Sequence, residues 1–344
     1  MTESSSLPVD SPIKASPNIT FVCCVESGWL EAQTIRMVES LRRWGGQFAN
    51  APIIAVKPRL GPPISHKTRQ VFDRWQVEYL PIQVKKKKRY PWFRFLNKPY
   101  ALIEVEERST SEYICWLDSD ILFLGEPDQL LLKEEEDFVA CASDKNIGTA
   151  GPEDAFEPYW KEICQVVGID VKDLPWVTTQ MEGKRIRLYW NSGIFVYRRT
   201  TSLAKHHLET SVQLLESCIA NHNAGIYFTD QIAIGLAMVK MGLSWRALPY
   251  SHNYTMSSLI HEEWYKEQQL KEALIIHYHD AMWPHFWPEF MKCMGDTHPD
   301  VADWLNSLGP MKNEASAHWR AVSKTLNFLR SQKESAYAKL CRIV

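Results

Sequence analysis

Trp116-Leu117-Asp118-Ser119-Asp120-Ile121-Leu122-Phe123-Leu124 decides how this chain folds. Tyr113 to Leu117 is an apolar run of the kind a strand covered on both faces requires. The run stops at two aspartates, resumes with apolar residues and ends at the breaker Gly125-Glu126-Pro127. In an extended chain Asp118 and Asp120 project to one side and Ser119 to the other. Paired carboxylates repel unless a cation or a proton lies between them. A hard divalent ion that shares its other positions with substrate phosphates is the natural occupant. A lone Asp-x-Asp is more often a solvated strand end, so the pair needs support from the rest of the chain.

Three strand–helix units precede it. Ile19 to Val25 reads as the first strand, joined by Glu26-Ser27-Gly28 to a helix from Leu30 to Trp44 with Ile35, Val38 and Leu41 inward. Gly45-Gly46 closes that helix. Pro52 to Val56 is a second strand, Ser65 to Trp75 a helix with Val71 and Phe72 inward, and Val77 to Leu80 a third strand. Asn97 to Arg108 reads as a helix capped by Asn97. This alternation predicts an α/β fold with a mostly parallel central sheet and helices on both faces. Ligands of such sheets bind beyond the carboxyl ends of the strands, which brings Glu26-Ser27-Gly28 and Asp118-Ser119-Asp120 to one crevice.

Beyond the aspartates, Phe138 to Ala142 reads as a strand, Pro152 to Gly168 as a helix and Pro175 to Gly183 as irregular. Ile186 to Tyr189 leads through Asn191-Ser192-Gly193 into a strand from Ile194 to Tyr197. Thr200 to Asn221 is a long helix, and Ile232 to Lys240 another, capped by Thr229 or Asp230. Trp245 to Pro249 and Ala273 to His279 are late strands, and Ala315 to Leu340 is a polar terminal helix.

Three clusters support the acid pair. His277 and His279, at a strand end, share one side by period two, and either completes an Asp, Asp, His set that suits manganese somewhat better than magnesium. Asn191-Ser192-Gly193 combines short polar groups with a close backbone approach. Asp230-Gln231 is a carboxylate and amide suited to sugar hydroxyls. Taken singly, each also reads blandly, as a satisfied histidine, a turn and a helix cap.

Composition sets bounds. At 344 residues, 45% hydrophobic, the chain fits one large α/β domain or two smaller ones. A net charge of −2 gives no whole-molecule basic field for nucleic acid. The eight cysteines form no C-x-x-C pair or zinc spacing, which fits a reducing compartment. The fourteen tryptophans are first of all core residues, and some are candidate platforms for sugar rings or bases. Met1 to Pro17 is Ser/Pro-rich without an apolar h-region and reads as a disordered lead-in, with cytoplasmic residence expected. Lys85-Lys86-Lys87-Lys88-Arg89 reads as a solvated loop, the sharper alternative being a patch for phosphate or the anionic surface of a membrane.

The order of Lys98 on its helix, L-D-S-D-I-L-F-L, N-S-G-I-F, T-D-Q and I-H-Y-H resembles GT-A glycosyltransferases. It is most similar to the glycogenin and bacterial galactosyltransferase family, glycosyltransferase family eight, over about Ile19 to Pro288. The resemblance implies a GT-A fold with a Rossmann-like sheet and a helical C-terminal extension. It divides the chain into a lead-in (1–18), a nucleotide-sugar half (19–145), an acceptor and catalytic half of the same domain (146–300) and the extension (301–344). It implies a metal-dependent hexosyltransferase, Mn2+ or Mg2+ being the cofactor, with a nucleotide-diphosphate sugar donor, a hydroxyl acceptor and a retaining outcome. Asp118, Asp120 and His277 match the metal ligands. Lys98 matches a donor-contacting basic residue, and Asn191, Asp230 and Gln231 match the sugar-binding and reaction-centre positions. One departure stands out. The family's histidine is followed by a Gly and then Lys-Pro-Trp, and those Gly and Lys positions hold Asp280 and Trp283 here, with Pro284 kept. Lys98, Arg94 or the Lys85–Arg89 run are the cations that could compensate.

Three rivals share features with this reading. A haloacid-dehalogenase-type phosphatase also uses Asp-x-Asp, with Asp118 as nucleophile, but places it on the first strand. A catalytically inactive nucleotide-sugar-binding protein is motivated by Trp283. A nucleotidyltransferase would carry a Gly-rich, basic loop after the first strand, which Glu26-Ser27-Gly28-Trp29-Leu30 does not.

Overall fold

The first strand, β1 (Ile19–Cys24), sends Ile19, Phe21 and Cys23 into one buried layer and Val22 into the other. Period-two alternation with both faces apolar is what a central strand between two helical layers needs. The computed structural model describes residues 17–82, 88–257 and 265–344. Lys85 to Lys87 and nearly all of the N-terminal lead-in lie outside the described residues.

The chain continues with α1 (Trp29–Trp44), β2 (Ile53–Lys57), α2 (His66–Arg74), β3 (Val77–Pro81), α3 (Asn97–Glu106), β4 (Tyr113–Leu117), β5 (Ile121–Phe123) and β6 (Phe138–Cys141). Then come α4 (Glu157–Val167), β7 (Trp176–Thr178), β8 (Arg185–Arg187), β9 (Asn191–Arg198), α5 (Leu203–Glu216), β10 (Ile219–Ala220), α6 (Thr229–Lys240) and β11 (Trp245–Ala247). The last elements are β12 (Tyr254–Thr255), α7 (Glu267–Lys271), β13 (Ile275–His277), α8 (Trp287–Thr297), α9 (Pro299–Leu308), α10 (Ala317–Ala338) and β14 (Arg342–Ile343).

The main sheet has the order β11-β6-β9-β4-β1-β2-β3. All its neighbours run parallel except β9, which is antiparallel to both β4 and β6. Strand order reverses at β1 and β4, where ligands of open α/β sheets bind. Because β9 runs the other way, its first residues, Asn191 to Gly193, start at the edge where β4 delivers Asp118. A small sheet, β12-β13-β5, brings His277 opposite Ile121.

Met37, Val38 and Leu41 of α1 pack on one face of the sheet, and Ala101, Leu102 and Val105 of α3 on the other. Each fully buried aliphatic or aromatic side chain contributes about 1.5–3 kcal/mol, so these two layers carry most of the stability. The C-terminal helix α10 is different: Tyr337 is its one buried residue.

Several boundaries depart from the sequence reading. The helix expected from Pro152 begins only at Glu157, after a turn in which Asp154 accepts from the Ala150 and Phe156 N–H groups. The segment 175–183, expected to be irregular, contains β7, which pairs with β8. The helix expected from Thr200 to Asn221 is α5 alone, bounded by left-handed Ser202 and Cys218. Asn97 does not cap α3, because it is the first helical residue and donates its amide to Glu26. Neither Thr229 nor Asp230 caps α6: Thr229 Oγ1 donates to Ile226 O, and Asp230 faces Lys98. All eight cysteines are free thiols.

Candidate active site

Lys98 is the hub of the crevice. It is 6% exposed, and its Nζ donates to Ser192 O at 2.8 Å and Ser192 Oγ at 2.7 Å. It also lies 3.1 Å from Asp230 Oδ2 and 3.4 Å from Asp118 Oδ1. Burial alone would push its pKa down, but the two carboxylates outweigh that and raise it. A buried cation between two acids is held charged. Lys98 thus joins β4, β9 and α6 at one point.

The two aspartates do not project side by side. The chain turns between β4 and β5, with Ile121 N–H donating to Asp118 O, so period-two geometry does not apply there. The Asp118 carboxylate accepts from Trp116 Nε1 at 2.6 Å. Burial raises its pKa against the pull of Lys98, with Asp120 adding to the rise. Asp120 turns the other way, 3.2 Å from His277 Nε2 and 3.9 Å from His279 Nδ1. Burial opposes its charge, yet the two imidazoles bring it down to about 2. Ser119 points away as expected, donating to Cys24 O.

His277 and His279 reach Asp120 together, but not by strand periodicity. β13 ends at His277, and His279 takes a left-handed backbone with φ +49°. Non-glycine residues in that region are uncommon and cluster at functional sites. The turn stacks the two rings 3.9 Å apart. Gly193 makes room for them, since a Cβ there would lie 2.5 Å from His277 Cε1 and Nδ1.

Ligand atoms of Asp120, His277 and His279 all lie within 4.8 Å of one another, and Asp118 is outside that group. His277 Nδ1 is buried with no hydrogen-bond partner among the described residues. One carboxylate and two imidazoles suit a divalent first-row metal, so the residues fit an ion here.

The remaining site residues form a continuous net. Asn191 Oδ1 accepts from Gly193 N–H and from Asn253 Nδ2. Gln231 Oε1 accepts from Ser192 N–H, while its Nε2 donates to the Tyr189 hydroxyl. Glu26 is gripped by Arg59 at 2.5 and 2.9 Å and by Asn97 at 3.2 Å. The Ser27 hydroxyl is enclosed without a partner among the described residues, and Gly28 takes φ +116° ahead of α1.

The sequence reading passed over two residues. Asn253 holds Asn191, and nothing in the local pattern marks it. Asp144 follows β6 at the same sheet edge, and burial, with Glu182 nearby, pushes its pKa up to about 6 against the pull of His277. Its signal was a lone acid three residues past a strand end, without the paired acid that marks Asp118.

Solved structures similar to this chain include the WbbM bifunctional glycosyltransferase, with TM-score 0.46, 10% identity, and coverage of 86% of this chain and 52% of that one. GlyE of Streptococcus pneumoniae TIGR4 gives 0.45, 13%, 86% and 65%. Mouse xyloside xylosyltransferase 1 gives 0.40, 13%, 76% and 97%. The chain thus spans 52% and 65% of the length of the first two. No curated protein matches it. The model of the Rhodobacterales glycosyltransferase domain matches residues 21–242, well over half the chain, and the protein belongs to that family.

Proposed function

We propose that the protein is a metal-dependent glycosyltransferase with a GT-A type fold, moving a sugar from a nucleotide-diphosphate donor to a hydroxyl acceptor. The observation that carries this reading is the joining of Asp120, His277 and His279 to the Lys98–Asp118–Asp230 net at the switch point of the sheet. Asp120, His277 and His279 would hold Mn2+ or Mg2+, which when bound supplies Lewis-acid neutralisation of the charge growing on the departing nucleotide.

The chain's own groups do the rest. Lys98 fixes Ser192 and Asp230 in one orientation, so the sugar-facing hydroxyl, carboxylate and Gln231 amide are in place before a ligand arrives. Asp230 is spoken for by the ammonium beside it and serves as a positioning acceptor for sugar hydroxyls. Asp144, held near pH 6 by burial, is the better proton acceptor if the reaction inverts, because a base is most useful with a pKa close to the working pH. A retaining outcome needs no separate base and leaves Asp144 to an acceptor hydroxyl.

The test is manganese-dependent hydrolysis of UDP- and GDP-sugars by the wild type and Asp120→Ala. Loss of metal-dependent turnover with retained fold supports the reading, and unchanged turnover overturns it. Metal-dependent donor binding without hydrolysis or transfer across an acceptor panel points instead to a binding protein.

A further inference from the structure

The loop leaving β2, residues 58–61, is ringed by cations. Lys57 Nζ donates to Gly61 O at 2.7 Å, Arg330 Nη2 to Leu60 O at 2.5 Å, and Lys88 Nζ to Pro58 O. Arg59, inside the loop, grips Glu26 with two bonds. Among the described residues, Lys57, Lys88 and Arg330 have no carboxylate within ion-pair distance. Carbonyl oxygens accept these bonds without cancelling any charge, so the cations face Glu26 as the carboxylate they share.

Burial depresses the pKa of Lys57, Lys88 and Arg330, and the neighbouring Arg59 guanidinium depresses Lys88 and Arg330 further. Glu26 offsets part of this for all three, and Glu104 and the Tyr100 ring do so for Lys88, but half-buried cations of like sign without an ion-pair partner are still held at a cost that a bound anion relieves. Guanidinium forks match phosphate oxygens in pairs, and lysines add point charge.

Arg330 is the informative member. It lies on α10, outside residues 21–242 matched by the family model. Its one buried residue, Tyr337, packs with Phe93, Leu96, Val212 and Leu215 about two turns beyond Arg330, so core burial does not account for the stretch that crosses this edge. Its inward stripe, Trp319, Ser323, Leu326 and Arg330, is half-buried and ends on the β2 loop. Glu26 connects this edge to the crevice, because Asn97 bonds Glu26 and the next residue, Lys98, contacts Asp118.

We propose that Lys57, Arg59, Lys88 and Arg330 form a phosphate-binding collar at the carboxyl ends of β1 and β2, and that it takes a diphosphate group. The collar supplies the positive charge that Trp283 does not. The collar stands on its own cations; only the assignment of its diphosphate to the donor rests on the function proposed above.

The experiment is calorimetric titration of inorganic pyrophosphate in the presence of a chelator, followed by UDP and GDP with and without manganese. The wild type should bind pyrophosphate without metal. Arg330→Ala should weaken it about tenfold, the loss of one charge-assisted contact, and Lys57→Ala should do likewise. Glu26→Gln should tighten binding by removing the competing carboxylate. Absence of metal-free pyrophosphate binding, or wild-type affinity in both alanine variants, overturns the collar. If UDP or GDP binding depends on manganese and Asp120 but not on Arg330, the donor reading stands and the assignment of the collar to the donor diphosphate falls. If pyrophosphate binds as stated while neither nucleotide binds with manganese, the collar stands and the donor reading falls. Attachment to anionic lipid vesicles that pyrophosphate does not displace also overturns it.

Discussion

Lys98 Nζ and Asp230 Oδ2 lie 3.1 Å apart, both nearly closed to solvent, and this contact fastens α3 to α6 across the crevice. Asp118 leans on the same ammonium. Lys98→Ala therefore leaves buried Asp230 and partly exposed Asp118 without their cation, and breaking the buried Lys98–Asp230 pair from one side costs ~3–5 kcal/mol. Urea unfolding should show that loss in the midpoint at constant slope. Adding Asp230→Asn to Lys98→Ala should cost less than the two single losses summed, because the second change removes a charge the first left unpaired. Strict additivity would mean that the pair is not energetically coupled.

How far the sequence could be read follows from what sets each feature. Strands β1 to β4 and their helices were legible because apolar period and glycine or proline breaks are local signals. The convergence of Asp120, His277, Asn191 and Asp230 was legible only as an order of motifs. The antiparallel insertion of β9 and the left-handed turn at His279, which bring those motifs together, are tertiary facts. The division of labour between the two aspartates was not legible, since it depends on Trp116 and Lys98 claiming one of them. Cap duty for Asp230 was the natural local reading, and a buried lysine from another helix overrode it. The contact of α10 with the loop after β2 left no trace because its residues look like those of any solvated helix.

His207 offers a pH test. It is fully buried, with Nε2 2.9 Å from Asp230 O, and burial lowers its pKa from 6.5 to about 4. The unfolded chain takes up this proton near pH 6.5 while the folded one does not. Its contribution is therefore fully present above pH 6.5 and is lost as pH falls toward 4, on the order of 3 kcal/mol in total. Unfolding free energies at pH 7.5 and 4.5 should differ by more in the wild type than in His207→Gln. Equal pH slopes would show that the ring is not neutral in the folded state.

Gly193→Ala tests the packing of the imidazole pair. Its Cβ would stand 2.5 Å from the His277 ring and 3.0 Å from Asn191 Oδ1, and neither neighbour is free to give way. Overpacking of this kind costs about 1–3 kcal/mol, so the fold survives. Displacing the His277 imidazole from the proposed metal site should lower metal affinity about 10–100-fold. Circular dichroism with manganese titration checks both halves, and wild-type affinity in the variant would show that His277 is not a ligand.

Trp283 stacks on Trp29 with centroids 5.0 Å apart and planes 9° from parallel, while remaining 41% exposed. The stack joins the loop after β13 to the start of α1, so it fixes a loop that carries no cation. Trp283→Ala should lose the stack, worth about 0.5–1.5 kcal/mol beyond area, and show it as a lower melting temperature. Trp283→Lys should lose as much stability but tighten manganese-dependent UDP or GDP binding about tenfold, the gain of one charge-assisted hydrogen bond. Comparing the two variants separates the effect of losing the indole from that of gaining the ammonium. If the lysine variant binds no better than the alanine variant, position 283 does not face the diphosphate.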